Sequence, residues 1–199
     1  ENKYKPNDSR IKVAQMTSNQ FFNPSWQLGV DYSTQDRIAI VNDDIVFNIK
    51  RFHEFVLSSN AKAICMTNWN RINKDLDIWE LVDNNSPNAR PAGGGQLMMV
   101  MRKNWPTLPY SMKLWHGEDV IYYYNTLVKN IKFCFIRGMA VTGDQSVSVN
   151  SNIIPKKMGE TFTQDTLEYY KKMHILGLSC STVFPMELKM AWEYGDIKT

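Results

Sequence analysis

Three short segments of this chain carry residues whose types and spacing can do chemistry. The first is Asn42-Asp43-Asp44, directly after the apolar run Ile38-Ala39-Ile40-Val41. Two adjacent carboxylates repel each other and call for a cation. Hard oxygen donors of this kind suit Mg2+ or Mn2+, ions that keep open positions for phosphate oxygens. The same pair also fits a solvated turn that caps the following helix. The second segment is Gly93-Gly94-Gly95, a run that costs backbone entropy and marks either a close approach of backbone to a ligand or a flexible hairpin loop. The third is Trp115-His116-Gly117-Glu118-Asp119. Its carboxylates are favoured by the dipole of a helix beginning there. One of them, beside a Trp and a His, can also take a proton from an incoming hydroxyl. His116 reads either as an acceptor or phosphate contact or as a surface-loop side chain, and Trp115 either stacks on a sugar face or packs. Lys156 and Lys157 read as a pair closing over a diphosphate or as a solvated basic pair.

These segments need strands and helices to place them. Ile11–Ala14 reads as a short strand, and Asn23-Pro24-Ser25 starts a helix with Trp26 and Val30 on one face. Arg37–Val41 is a continuous apolar strand of the kind covered on both faces in a parallel sheet. Asn48 caps a helix bearing Phe52, Phe55 and Val56, and Ala63–Met66 is another buried strand. Leu97–Met101 and Phe133–Ile136 are further strands, with a helical stripe over Val120–Val128 between them. Val147 and Val149 suggest an edge strand. Thr161–Gln164 is a capping-box pattern opening a helix to about Met173, and a last helix spans Pro185–Tyr194. The alternation predicts an α/β sheet with right-handed crossovers.

The composition bounds the class. At 199 residues with 43% hydrophobic and 22% charged residues, the chain reads as one globular domain over 1–199. A net charge of +3 suits an anionic small ligand and does not by itself indicate nucleic acid. No apolar run approaches the ~20 residues of a membrane span. The polar opening ENKYKPNDSR has no signal-peptide core, and a start at Glu1 reads as a trimmed or processed fragment. Cys65, Cys134 and Cys180 are odd in number and far apart, which points to reduced thiols and a cytoplasmic setting. No CxxC or HExxH spacing suggests a zinc site.

The run Ser18-Asn19-Gln20 with Ser25–Val30, then Asp36–Ile45, resembles the first half of nucleotide-sugar glycosyltransferases of the GT-A fold. Asn42-Asp43-Asp44 is similar to their DxD metal segment with Asn in the first place. Gly93–Val100 resembles their glycine-containing acceptor-side segment, and Gly117-Glu118-Asp119 their "ED" segment. The resemblance covers about residues 11 to 130. It implies a GT-A-like, Rossmann-like mixed sheet flanked by helices, lacking the first nucleotide-binding βα unit. It implies a Mn2+ or Mg2+ ion on Asp44 and Asp43, with Asn42, Asp43, Asp44, Gly94 and Gly95 toward the nucleotide-sugar donor. Asp119 is then the catalytic base of an inverting transfer. Glu118 holds acceptor hydroxyls, with His116 and Trp115 beside it. The chain departs from the family at its late metal-binding His: the only His after Phe133 is His174, inside a helical pattern, and Asp144 is the candidate substitute. The acceptor is a saccharide or other hydroxyl compound, or, more narrowly, a hydroxymethylated base in DNA. The alternatives are a non-catalytic carbohydrate- or protein-binding module on a degenerate GT-A scaffold, and a nucleotidyltransferase, for which no Arg/Lys-bearing glycine loop is found near the N-terminus.

Overall fold

The structure, a computed structural model, describes residues 8–14, 16–65, 72–84, 96–143 and 153–179. Gly93, Gly94 and Gly95, Asp144, the Val147–Val149 stretch, Cys180 and the Pro185–Tyr194 helix lie outside the described residues. No helix among the described residues is long and apolar enough to cross a membrane.

Helix α1 (Phe22–Tyr32) buries Asn23, Gln27 and Val30, an i, i+4, i+7 stripe. It stops at Ser33, whose N–H bonds back to the Gly29 carbonyl at 3.0 Å. The short Ser33–Asp36 connection then reverses the chain into β1 (Arg37–Val41). Arg102 locks that reversal by donating to the carbonyls of Gln35 (2.8 Å) and Val30 (3.0 Å) and to the Ser33 hydroxyl. Helix α1 lies back along β1, and a groove between them is lined by Ser25, Trp26 and Val30 on one side and Ile38–Val41 on the other.

Strand β2 (Ile45–Val46) follows the acidic turn. Helix α2 (Ile49–Ser58) is capped by Asn48, whose Oδ1 accepts the Arg51 N–H at 3.0 Å, and it buries Phe52 and Val56. Then come β3 (Ala63–Cys65), β4 (Glu80–Asp83), β5 (Leu97–Met101), α3 (Gly117–Tyr123), β6 (Cys134–Arg137), β7 (Thr142–Gly143) and α4 (Ile153–Ile175). Helix α3 widens into a π turn over Tyr124–Val128. There the Asn125 amide donates to the carbonyls of Ile121 (2.8 Å) and Asn104 (3.1 Å).

Among the described residues the main sheet has five strands in the order β1-β5-β3-β6-β4. Only the β3–β6 pair is parallel; β1–β5, β3–β5 and β4–β6 are antiparallel. Strand β5 shows how the layers form. Its Met98 and Val100 enter a core with Val30, Ile38, Val120–Tyr123, Tyr169 and Met173, while Leu97 and Met99 enter a second core with Phe52, Val56 and Trp79. Period-two alternation in one central strand therefore builds a helix–sheet–helix sandwich.

The mixed α/β class expected from the alternation of runs holds, with three departures. Ile11–Ala14 is not a strand; the segment is irregular and exposed, with Ile11 at 56% and Val13 at 61%. Strand β1 is not covered on both faces in a parallel sheet: it is an edge strand paired antiparallel with β5, and Val41 is 46% exposed. A short apolar run cannot by itself distinguish these two settings. The sheet as a whole is mixed and flanked by helices, as expected. The capping-box pattern at Thr161 lies inside α4, which starts at Ile153.

Cys65 and Cys134 are free thiols, the first buried and the second half-buried. Burial, then the Asp83 carboxylate accepting from its Sγ at 3.6 Å, pushes the Cys134 thiol up to about 11. It stays protonated and unreactive at neutral pH.

Candidate functional site

The acidic pair stands in a two-residue turn between β1 and β2, with Asp43 exposed and Asp44 half-exposed. The preceding Asn42 N–H donates to the Gln96 carbonyl at 2.9 Å. That bond ties the turn to the residue that leads from the triple-glycine run into β5. Downstream, β2 pairs with β7 through Ile45 and Gly143, so the turn is anchored on both sides. Neither carboxylate makes a hydrogen bond or ion pair among the described residues. No group of three His, Cys, Asp or Glu side chains capable of holding a metal occurs among the described residues. Two free carboxylates still fit an ion of the Mg2+ class, which binds through one or two carboxylates and fills its remaining positions with water and phosphate oxygens.

The second acidic segment is built differently. His116, in the left-handed region at φ 66°, precedes α3, and its carbonyl accepts the Val120 N–H at 3.0 Å. Its ring is 1% exposed. It is enclosed by Phe162 and Tyr169, with ring centres 5.8 and 5.1 Å away. One ring nitrogen, Nε2, lies 3.0 Å from Thr166 Oγ1, and the other, Nδ1, lies 3.7 Å from Asp119 Oδ2. Asp119 is itself fully enclosed, at 0% exposure. His116 is therefore neither a surface-loop side chain nor open to an acceptor in this state. The half-buried members are Glu118 and Trp115, the latter packed edge-on against Phe162 at 5.1 Å. His174 ends α4 on its exposed side, and Lys156 and Lys157 fall in the first turns of that helix.

Chain geometry brings the two acidic segments to the same end of the sheet. An 11-residue helix and a five-residue strand are each roughly 16 Å long. With α1 folded back along β1, the start of α1 lies toward the end of β1 that leads into the Asn42–Asp44 turn. That start holds α3: the Asn23 amide donates to the Trp115 carbonyl at 2.8 Å, and a Cβ on Gly117 would stand 2.0 Å from Asn23 Oδ1. Of three non-glycine residues with positive φ among those described, Phe21 and His116 flank this joint. Such strain gathers where surrounding structure over-determines the backbone.

Gly117 is thus required by close packing, and Gly117→Ala has no room to relax because Asn23 is fully buried. The substitution is expected to lower stability by about 1–3 kcal/mol, read as a shift in urea midpoint. The double variant with Asn23→Ala should cost less than the sum of the two singles, because the second change removes the clashing atom.

Sequence reasoning missed the residues that hold the irregular stretch 105–116. Gln27 Oε1 accepts from Trp105 Nε1 (3.0 Å) and the Leu108 N–H (2.7 Å), while its amide donates to Asp31 (2.8 Å). Asp31 also accepts from the Tyr110 hydroxyl at 2.9 Å, which raises that phenol above its ordinary range. Asp165, fully buried on α4, accepts the N–H groups of Lys113, Leu114 and Trp115 at 2.8, 2.7 and 2.9 Å. The signal for Gln27 and Asp165 was a polar residue sharing a helical stripe with apolar ones: Gln27 with Val30, and Asp165 with Tyr169 and Met173. The Trp105 indole is thus held by Gln27. No protein family, curated protein or solved structure matches this chain.

Proposed function

We propose that this chain is a metal-dependent glycosyltransferase that moves a sugar from a nucleotide-sugar donor to an acceptor hydroxyl with inversion. One observation carries the reading: a free carboxylate pair at a strand end, tied through Asn42 and Gln96 to the glycine segment, shares its end of the sheet with the Glu118–Asp119 turn. Asp44 and Asp43 hold Mn2+ or Mg2+, Asn42 contacts the donor ribose, and Gly94 and Gly95 lie toward the sugar. When bound, the cation offsets charge on the departing diphosphate. Glu118, the half-exposed carboxylate, holds and orients the acceptor hydroxyl. Asp119 takes its proton, and because Asp119 is enclosed this step requires the side chains that cover it to move aside. A saccharide is the acceptor this reading favours. Glycosylation of a hydroxymethylated base in DNA is the narrower variant and would show as salt-sensitive duplex binding.

Calorimetry of the intact chain with Mn2+ and nucleoside diphosphates is the first test. Binding that requires the metal is expected; its absence with every nucleotide would overturn the reading. The enclosure of Asp119 favours a second reading, a non-catalytic carbohydrate- or protein-binding module on the same scaffold. Metal-dependent nucleotide binding without turnover, with any donor and acceptor offered, is the outcome that selects it.

A further inference from the structure

The segment Lys113–Trp115 runs between α1 and α4 without secondary structure of its own. Backbone groups in such a stretch must find partners elsewhere, and here they find them on opposite sides. All three N–H groups point to one carboxylate, Asp165 on α4, with Oδ1 taking Lys113 and Oδ2 taking Leu114 and Trp115. Two carbonyls point the other way, to Asn23 on α1: Lys113 O accepts the Asn23 N–H at 3.0 Å and Trp115 O accepts the Asn23 amide at 2.8 Å. A row of backbone N–H groups of this kind is a ready anion cradle, and the protein fills it with its own side chain. The next residue, His116, is the left-handed one that sets the direction of α3, and Thr166, next to Asp165, meets its ring.

We propose that Asp165 is a positioning residue for Glu118 and Asp119 at the start of α3. With Asn23 it forms a two-sided clasp on Lys113–Trp115 that fixes His116 and so aims Glu118 and Asp119. The catalytic part of this claim rests on the glycosyltransferase reading; the clasp itself does not. Asp165 touches no acceptor or donor and acts only through the backbone it holds. An isosteric Asn has one oxygen in place of two. Its NH2 group must face either Lys113 N–H or the Leu114 and Trp115 pair, donor against donor.

The test has one arm on the unaltered protein and one on Asp165→Asn. In the unaltered chain, amide hydrogen exchange at Lys113, Leu114 and Trp115 is expected to be as slow as in the cores of α3 and α4, at least 10²-fold slower than in an open loop. Exchange at open-loop rates overturns the clasp without any variant being made. In Asp165→Asn, exchange at 113–118 should rise at least 10-fold while β3 and β5 amides stay protected. With a working donor and acceptor, kcat should fall at least 10-fold, well below the melting temperature, with donor KM within 2-fold. Asp165→Glu keeps both oxygens and should show only part of that loss. Unchanged kcat in Asp165→Asn overturns the positioning role. If the unaltered protein turns over no donor, the glycosyltransferase reading fails separately, and the exchange results alone decide whether Asp165 orders the turn.

Discussion

Alanine at both Asp43 and Asp44 is expected to abolish metal-dependent nucleotide binding while leaving the fold intact. Both side chains stand in the β1–β2 turn, and neither makes a hydrogen bond or ion pair among the described residues. Their removal therefore breaks nothing that holds the turn, which is fixed by the Asn42–Gln96 bond and the β2–β7 pair. Stability should stay within about 0.5 kcal/mol of the unaltered chain, as for surface substitutions that touch no special feature. Affinity for a nucleoside diphosphate in Mn2+ should fall by roughly 10² or more, since an ion of this class is held through one or two carboxylates. Asp44→Asn alone should account for more of the loss than Asp43→Asn. Unchanged affinity in the double variant would remove the metal role and leave the pair as a solvated turn. The contrast with Asp119 is instructive: that carboxylate is buried beside His116, so its substitution mixes chemistry with packing, whereas the Asp43–Asp44 result reads chemistry alone.

The parts of this molecule legible in the sequence were those that depend on local pattern. The strand runs at 37–41, 63–65 and 97–101, the Asn48 cap and the apolar stripe at Val120 are all read from neighbours within a few residues, and all are present. Pairing was not legible. Leu97–Met101 is equally apolar whether its neighbours run parallel or antiparallel, and only the finished sheet makes β1 an edge. The start of α4 was misplaced because Thr161–Gln164 has the residue types of a cap, and nothing local says that a helix already runs through it. At the candidate site the sequence picked out carboxylates by their company but not by their surroundings. Asp43 and Asp119 look alike as letters, yet one is exposed and the other enclosed. The polar side chains that hold 105–116 were hidden for a related reason. Their partners are backbone groups 50 or more residues away, and backbone groups carry no identity that a sequence motif can record.

Gln27→Leu is expected to lower stability markedly while leaving the helix itself intact. Gln27 is 4% exposed and makes three hydrogen bonds at once: it accepts from Trp105 and Leu108 and donates to Asp31. Leucine fills much the same space and is as good a helix former, so helix propensity drops out of the comparison. What remains is the buried Leu108 N–H left without its acceptor, worth about 1–3 kcal/mol, with the half-buried Trp105 N–H adding to it. A total of roughly 2–4 kcal/mol corresponds to a melting temperature lower by about 5–15 °C for a chain of this size. Gln27→Glu separates the two functions of the amide. It keeps an oxygen for Trp105 and Leu108 but sets a second carboxylate oxygen against Asp31 where an N–H stood. Gln27→Glu should therefore fall between Gln27→Leu and the unaltered chain. Adding Asp31→Asn should recover stability, because the introduced amide can turn its NH2 toward the new carboxylate and its oxygen toward the Tyr110 hydroxyl. Thermal melting of the four proteins gives the ranking directly. Equal melting of Gln27→Leu and the unaltered chain would mean that 105–116 is held by its apolar anchors Leu108 and Met112, with the buried polar contacts of Gln27 contributing nothing net.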